Sequence, residues 1–264
     1  MKQKHFYWIG IVVLCIAVMG LLYGKLIAPT KIAFVNYGAI SLGNIYKAND
    51  NSFVKISEVS TDDLKKLSGY DMIFLNGMGL RIVEEQRAML EKIAEKGTPI
   101  YTSSATNPAN NLCNIDTAKV TEIKAYLQGG KKNYRNLLNY VRREIDGKWI
   151  SAPQPGAPIK RATDIIYHAE RGKEEEDDEM EFNSVAEYEA WLKKAGLWNE
   201  NGKKIVVTGQ MANPNGMIRK LEEEGMRVYP ISAWRKQMEF IEEIEPDAII
   251  NLPHGRMVIR WSII

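Results

Sequence analysis

Three short apolar segments near the C-terminus decide the predicted fold: KIVVT at 204–208, RVYPI at 227–231 and DAIINL at 247–252. A helix-forming stretch follows each of the first two. Apolar strands that alternate with helices are typical of a parallel sheet, so we expect a Rossmann-like or flavodoxin-like unit over residues 201–264. A doubly wound sheet has about five strands, with helices on both faces. Because only three strands are predicted here, we expect this second unit to be incomplete.

The same alternation of strands and helices occurs in the first half of the chain. We expect strands at 31–37, 53–59, 71–75 and 99–102. We expect helices at 81–96, 116–127 and 134–145. Residues 31–150 are therefore predicted to form a first α/β unit around a parallel sheet, and the fold class is α/β throughout.

Residues 151–200 separate the two predicted units. They begin with a segment at 151–158 that holds three prolines and a glycine, which indicates a linker or surface loop. Seven of the eight residues at 174–181 are acidic. This run is typical of a solvated loop, with metal capture as the alternative. Ser184 and Glu187 then have the spacing of a capping box at the start of a helix.

The N-terminal segment 6–23 contains no charged residue and is flanked by Lys2, Lys4 and Lys25. A helix of this length is about 27 Å long, close to the thickness of a bilayer core. We expect residues 1–27 to be a transmembrane anchor, with a cleaved signal peptide as the alternative, although no Ala-x-Ala site follows. The flanking lysines favour a cytoplasmic N-terminus. The predicted location is the inner membrane, single-pass, with the soluble part periplasmic or extracellular.

The composition of the 264-residue chain is that of a globular protein, with 45% hydrophobic residues and a net charge of +2. The low net charge gives no reason to expect nucleic acid as a partner. Cys15 and Cys113 would lie on opposite sides of a boundary, so no internal disulfide is expected. No metal site is predicted, since three histidines and no thiolate cluster argue against a dedicated zinc site. The sequence lacks a Walker loop, a dinucleotide fingerprint and a hydrolase elbow.

A few polar residues follow predicted strands, where α/β sheets bind ligands. His254 and Arg256 come just after the last strand, and His168 ends an earlier one. Arginine suits a carboxylate, and a neutral imidazole can bind a metal or iron. The loop 209–216 precedes a helix whose first amides can hold an anion. For each of these residues, a structural hydrogen bond is the alternative interpretation.

Four features of the second half occur in a recognisable order. They are IYH at 166–168, FNS at 182–184 with Tyr188 and Trp191, KIVV at 204–207, and LEEEGMRVYP at 221–230. This order and spacing resemble the large subunit of the cobaltochelatase and magnesium chelatase family (CobN and the chelatase H subunit). The resemblance covers roughly residues 31–256. Ala169 stands where the family has a proline.

The resemblance implies a protein that handles a tetrapyrrole, such as haem, protoporphyrin or a corrin precursor of cobalamin. Family members insert a metal ion into the ring, usually with ATPase subunits. Membrane-anchored relatives beside haem-uptake components suggest insertion or removal of a metal in haem. Because family members are much longer, the chain resembles only their N-terminal region. The apolar segment 257–264 reads as an abrupt end, so we expect a truncated subunit that is inactive alone. His254, Arg256 and His168 are the candidate ligand-binding residues.

A second function class remains open from the sequence. Two small α/β units joined by a linker also suit a non-enzymatic, membrane-tethered ligand-binding or scaffold module. The absence of a self-sufficient catalytic motif favours this alternative for the chain taken by itself.

Overall fold

The computed structural model describes residues 2–160, 162–169, 179–209 and 214–252, with side chains from residue 11 onward except at 21. The chain divides into two units, residues 1–158 and 159–264.

The first unit contains a four-stranded sheet in which every neighbouring pair of strands is parallel. Its strands are β1 (Thr30–Val35), β2 (Val54–Val59), β3 (Met72–Asn76) and β4 (Ile100–Ser103). Their spatial order is β2-β1-β3-β4. The predicted α/β class and the parallel sheet of this unit are confirmed.

Helices cover both faces of this sheet. They are α2 (Ala39–Ala48), α3 (Glu84–Glu95), α4 (Thr117–Tyr126) and α5 (Lys131–Tyr140), with 3₁₀ segments at Thr61–Gly69 and Pro108–Asn110. Ile32 and Phe34 of β1 pack with α2, α4 and α5. Ala33 and Val35, which alternate with them, pack with α3 and the first 3₁₀ segment. A strand with apolar residues on both faces therefore needs cover from both sides, as a parallel sheet requires.

A buried arginine ties together several loops of the first unit. Helix α5 continues as a π-helical turn, Val141–Ile145, which contains Arg142. The Arg142 side chain is fully buried. Its guanidinium donates to the carbonyl oxygens of Ile27, Ala28 and Ile150, among others, at 2.6–3.2 Å. The π turn therefore places a cation among main-chain acceptors that no helix or strand satisfies.

The second unit contains a five-stranded mixed sheet in the order β6-β5-β8-β7-β9. Its strands are β5 (Ile165–Ala169), β6 (Glu179–Phe182), β7 (Lys204–Gly209), β8 (Arg227–Ser232) and β9 (Ala248–Leu252). Strands β7, β8 and β9 are parallel, as predicted, whereas β5 runs antiparallel to both of its neighbours. The sequence predicted only three strands. The other two come from the predicted linker 151–200, and β5 supplies the ladder partner that β8 would otherwise lack.

Helices also lie on both faces of the second sheet. They are α6 (Val185–Lys194), α7 (Asn215–Glu223) and α8 (Gln237–Ile244). Helices α6 and α8 pack over Val206 and Tyr229. Ile218 of α7 packs over Ile205 and Val207 on the other face. Both faces of the described sheet are therefore covered, because the segment predicted as a linker supplies α6.

Asp164 holds the chain that leads into α8. One carboxylate oxygen, Oδ1, accepts the backbone N–H groups of Trp234, Arg235 and Lys236 at 2.8–3.0 Å. These three hydrogen bonds lower the pKa of Asp164 below its usual value. Asp164 itself has φ of 62°, a left-handed conformation that Asp tolerates better than most residues.

Asp164 gives the second unit a pH-dependent contribution to stability. Because folding lowers its pKa, the contribution should be present above the unfolded value of about 3.9 and be lost as the pH falls through the lower, folded pKa. We expect Asp164→Ala to destabilise the unit near neutral pH, and the difference from wild type to shrink in acid. Urea unfolding of both proteins between about pH 7 and about pH 3 measures this. A difference that grows in acid would contradict the assignment.

The N-terminal residues form helix α1 (Lys2–Leu26). Within the described part of the chain, no helix is both long and apolar enough to cross a membrane. The predicted transmembrane anchor at 6–23 is therefore not supported, and the predicted inner-membrane location is contradicted.

Candidate functional site

Only one of the three predicted site residues lies in the described part of the chain. His254 and Arg256 lie outside the described residues, as does the middle of the loop 209–216. His168 is described, and it is 6% exposed. The candidate site is therefore built outward from His168.

His168 occupies a place where two strands separate. It is the fourth residue of β5, which pairs with β8 only at Ile165 and Ile166. Beyond these residues the two strands diverge, and β8 has no ladder partner from β5 on that side. Because β5 is antiparallel to β8, His168 lies at the amino-terminal edge of the parallel strands. The sequence predicts a ligand at the opposite, carboxyl-terminal edge, because strand direction cannot be read from a five-residue segment.

Both ring nitrogens of His168 are engaged. Nδ1 lies 2.7 Å from the carbonyl oxygen of Ala169, and Nε2 lies 2.8 Å from Oε1 of Glu222. A carbonyl oxygen only accepts, so Nδ1 carries a proton and donates it. Nε2 and Glu222 then share a second proton, held either by the imidazole or by the carboxyl group. Nε2 cannot bind a metal unless this bond breaks.

The aromatic residues of the family-like segment assemble around this imidazole. Its ring centroid lies 4.7 Å from that of Trp191 and 6.2 Å from that of Tyr188. The ring centroid of Phe182 lies 5.2 Å from that of Tyr188 and 5.4 Å from that of Trp191. The predicted helix cap holds α6 in place for these contacts, since Ser184 Oγ accepts the Glu187 N–H.

Tyr188 and Trp191 differ in their burial. Tyr188 is fully buried, and its hydroxyl donates to the carbonyl of Val228 at 2.7 Å. Burial, and then the charge of Glu222, raise the pKa of Tyr188 well above its usual value. Trp191 packs against the same core but is only half-buried. Tyr188 is thus a core residue, while Trp191 lies at the edge of the core and is partly exposed.

A cleft of about 550 Å³ opens beside His168. It lies between the end of β5, the loop that follows α6, and one face of α7. Asn215, Arg219 and Glu222 of α7 recur at helical spacing along its wall, and Trp198 contributes from the loop. Trp198, Arg219 and Glu222 were not identified from the sequence. The spacing along α7 was visible there, but it reads equally well as a solvated face.

The charges along the cleft wall are largely compensated. Glu222 pairs with His168, and Glu223 lies 2.6 Å from Lys220 Nζ and 3.8 Å from Arg219 Nη1. In the ranges that the structure describes, no group of three or more His, Cys, Asp or Glu side chains is placed to hold a metal ion. The cleft therefore offers hydrogen-bonding groups, aromatic surface and a proton-sharing pair.

Comparisons with known proteins place the chain in a family. No curated protein matches it. Among solved structures, the chain is similar to the catalytic subunit of cobaltochelatase from Mycobacterium tuberculosis, with 13% sequence identity and a TM-score of 0.48. That similarity covers 84% of this chain and 18% of the subunit, so the chain spans less than a fifth of that protein.

The family itself is shown by sequence. The model of the CobN/Magnesium Chelatase family matches residues 124–261, just over half of the chain. The match includes His168, the aromatic cluster and all of the described cleft, and it confirms the resemblance inferred from the motifs at 166–230. The chain therefore belongs to the CobN/magnesium chelatase family.

Proposed function

We propose that this chain is part of a chelatase-type large subunit and binds a tetrapyrrole in the cleft of its second unit. The family supports this assignment, because its members handle tetrapyrroles during metal insertion. Metal insertion or removal would be the work of the assembled chelatase with its partner subunits. The inactivity of the chain by itself stays a prediction. It was inferred from segment 257–264, which lies outside the described residues.

The observation that carries the proposal is the convergence of the family-like motifs. His168, Tyr188 and Trp191 come from two separate motifs, and their rings meet at one point. His168 also lines the cleft, and so does Glu222, which comes from a third motif. His168 and Glu222 thus contribute to the wall of one cavity, while Tyr188 and Trp191 pack against His168. The cavity volume of about 550 Å³ falls in the range of roughly 300–1,000 Å³ usual for small-molecule sites.

The chemistry of the cleft also suits a tetrapyrrole. The ring system is planar and largely apolar, and it carries carboxylate side chains. Trp198 offers an aromatic surface, and Asn199 and Arg219 offer polar groups along the wall. Both nitrogens of His168 are hydrogen-bonded. The imidazole would therefore contact the tetrapyrrole while it stays bonded to Glu222, without ligating the metal. We therefore expect metal-free protoporphyrin and haem to bind alike.

Absorbance titration of the full chain tests this function. Protoporphyrin IX and haem are added separately, and the Soret band is followed against the free tetrapyrrole in the same buffer. We expect a saturable shift with both compounds, and weaker binding in His168→Ala. Trp234→Ala is the matched control, since Trp234 is 80% exposed and is not among the residues that line the cleft. If neither compound shifts, the chain does not bind tetrapyrroles and the proposed function is wrong.

A further inference from the structure

Trp198 lines the cleft, and two positively charged side chains lie against its indole ring. Lys193 Nζ lies 4.5 Å from the ring centroid, and Arg227 Cζ lies 4.7 Å from it. Both distances are within the range of a cation–π contact. Lys193 comes from the last turn of α6 and Arg227 from the first residue of β8. Two separate elements therefore place a cation beside the same ring.

Neither cation is neutralised in the described part of the chain. The described carboxylates form no ion pair within 4 Å with Lys193 or Arg227, although Arg227 Nε donates to the Gly202 carbonyl at 3.1 Å. The nearby Asp247 is paired with Lys203 at 2.9 Å. The hydrogen bond from Lys203 is the main cause of the lowered pKa of Asp247, and the charge of Arg227 contributes least. The corner formed by Lys193, Trp198 and Arg227 has a net positive charge.

The indole of Trp198 has an unused donor. Its Nε1 atom is shielded from water and has no hydrogen-bond partner among the described residues. A buried indole N–H normally finds an acceptor. Trp198 also lines the cleft and is only partly buried, so this donor belongs to a residue that a ligand in the cleft would contact.

We propose that the corner formed by Lys193, Trp198 and Arg227 binds a carboxylate side chain of the tetrapyrrole. This inference rests on the proposed function, and it identifies which part of the ligand the corner recognises. The indole N–H would donate to a carboxylate oxygen, and the two cations would stabilise its charge. The acidic groups of the cleft do not oppose this, because Glu222 and Glu223 already have His168 and Lys220 as partners. Porphyrins and corrins carry such carboxylates at the rim of the ring, so the corner would orient the ring in the cleft.

Esterification of the ligand separates this role from simple packing. The full chain is titrated with protoporphyrin IX and with its dimethyl ester, both delivered from the same co-solvent. The variants are Trp198→Phe, which removes the N–H donor and keeps a smaller aromatic ring, and Lys193→Gln. Lys194→Gln is the matched control, because Lys194 is the next residue of α6 and is exposed. The melting temperature of each variant is measured to confirm that it folds.

We expect Trp198→Phe to weaken binding of the free acid by about tenfold, as for the loss of a hydrogen bond to a charged group. Lys193→Gln should weaken it by about threefold, as for a partly exposed charge pair. Both variants should bind the dimethyl ester as wild type does, and Lys194→Gln should change neither affinity. Equal losses for acid and ester, or no loss for either variant, would overturn the carboxylate corner while leaving the proposed function in place. If wild type binds neither compound, the proposed function fails and this inference fails with it.

Discussion

Replacing Arg142 with alanine is expected to lower the free energy of unfolding of the first unit by about 3–5 kcal/mol. The side chain is fully buried, and it donates to main-chain carbonyls before β1 and after the π turn. Removing it leaves those carbonyls without their donor and opens a cavity. Few single changes in this unit should cost as much.

The neighbours of Arg142 add to this effect. Its Nη1 also donates to Thr30 Oγ1 at 3.0 Å, and that hydroxyl donates to Asp146 Oδ2 at 2.5 Å. Asp146 in turn pairs with the buried Lys148 at 2.7 Å. Burial lowers the pKa of Arg142, while the charges of Asp146 and Asp71 act in the opposite direction. Because each member satisfies the next, loss of the arginine should loosen the whole network.

Denaturant unfolding, followed by hydrogen exchange of β1 and β3, measures the cost of the Arg142→Ala change. Arg143→Ala is the matched control, because Arg143 is the next residue of the π turn. It makes one bond to the Ala152 carbonyl and an exposed pair with Glu144. We expect that control to cost less than about 1 kcal/mol. Similar losses for both variants would show that Arg142 does not organise this unit.

Replacing Tyr188 with alanine is expected to destabilise the second unit by about 3–5 kcal/mol. The ring is fully buried and contacts Phe182, Trp191 and Tyr229. Its loss would leave a large cavity between α6 and the sheet, at the point where β5 and β8 separate. Tyr188→Phe keeps the ring and removes only the hydrogen bond to Val228, so it should cost about 1 kcal/mol.

The two Tyr188 variants are compared by denaturant unfolding with Trp234→Ala, which lies in the same unit. Trp234 is 80% exposed, so its loss should change stability by less than about 0.5 kcal/mol. A small effect of Tyr188→Ala would show that the ring does not belong to the core. In that case the family-like motif around Tyr188 would have to be explained by ligand contact instead.

The strands that the sequence predicted well are the ones with long apolar runs. Strands β1, β3, β7 and β8 have nearly continuous buried residues, and their parallel pairing follows from alternation with helices. Strands β5 and β6 were not recognised as part of the second sheet. A strand that ends at His168 was predicted, but within the linker 151–200, and the acidic run that separates β5 from β6 has the local pattern of a loop. Only the pairing of β5 with β8 shows that they belong to the sheet.

The candidate site shows the same division between local and long-range information. His168 was recognised because an imidazole at the end of a strand is unusual, and Tyr188 and Trp191 because of their helical spacing. Glu222 could not be assigned, because its partner lies 54 positions away in the chain. Arg142 was missed for a similar reason, since two adjacent arginines in a predicted helix read as an exposed pair, and only the π turn points one of them into the core.

The central claim is that a tetrapyrrole binds in the cleft between β5, the loop after α6, and α7. Hydrogen exchange of the full chain with and without protoporphyrin IX tests it most directly. We predict that the ligand increases protection at residues 165–169, 196–199 and 218–223, which border the cleft. Protection confined to the carboxyl-terminal edge of the sheet, or no change at these three segments under saturating ligand, would contradict the account.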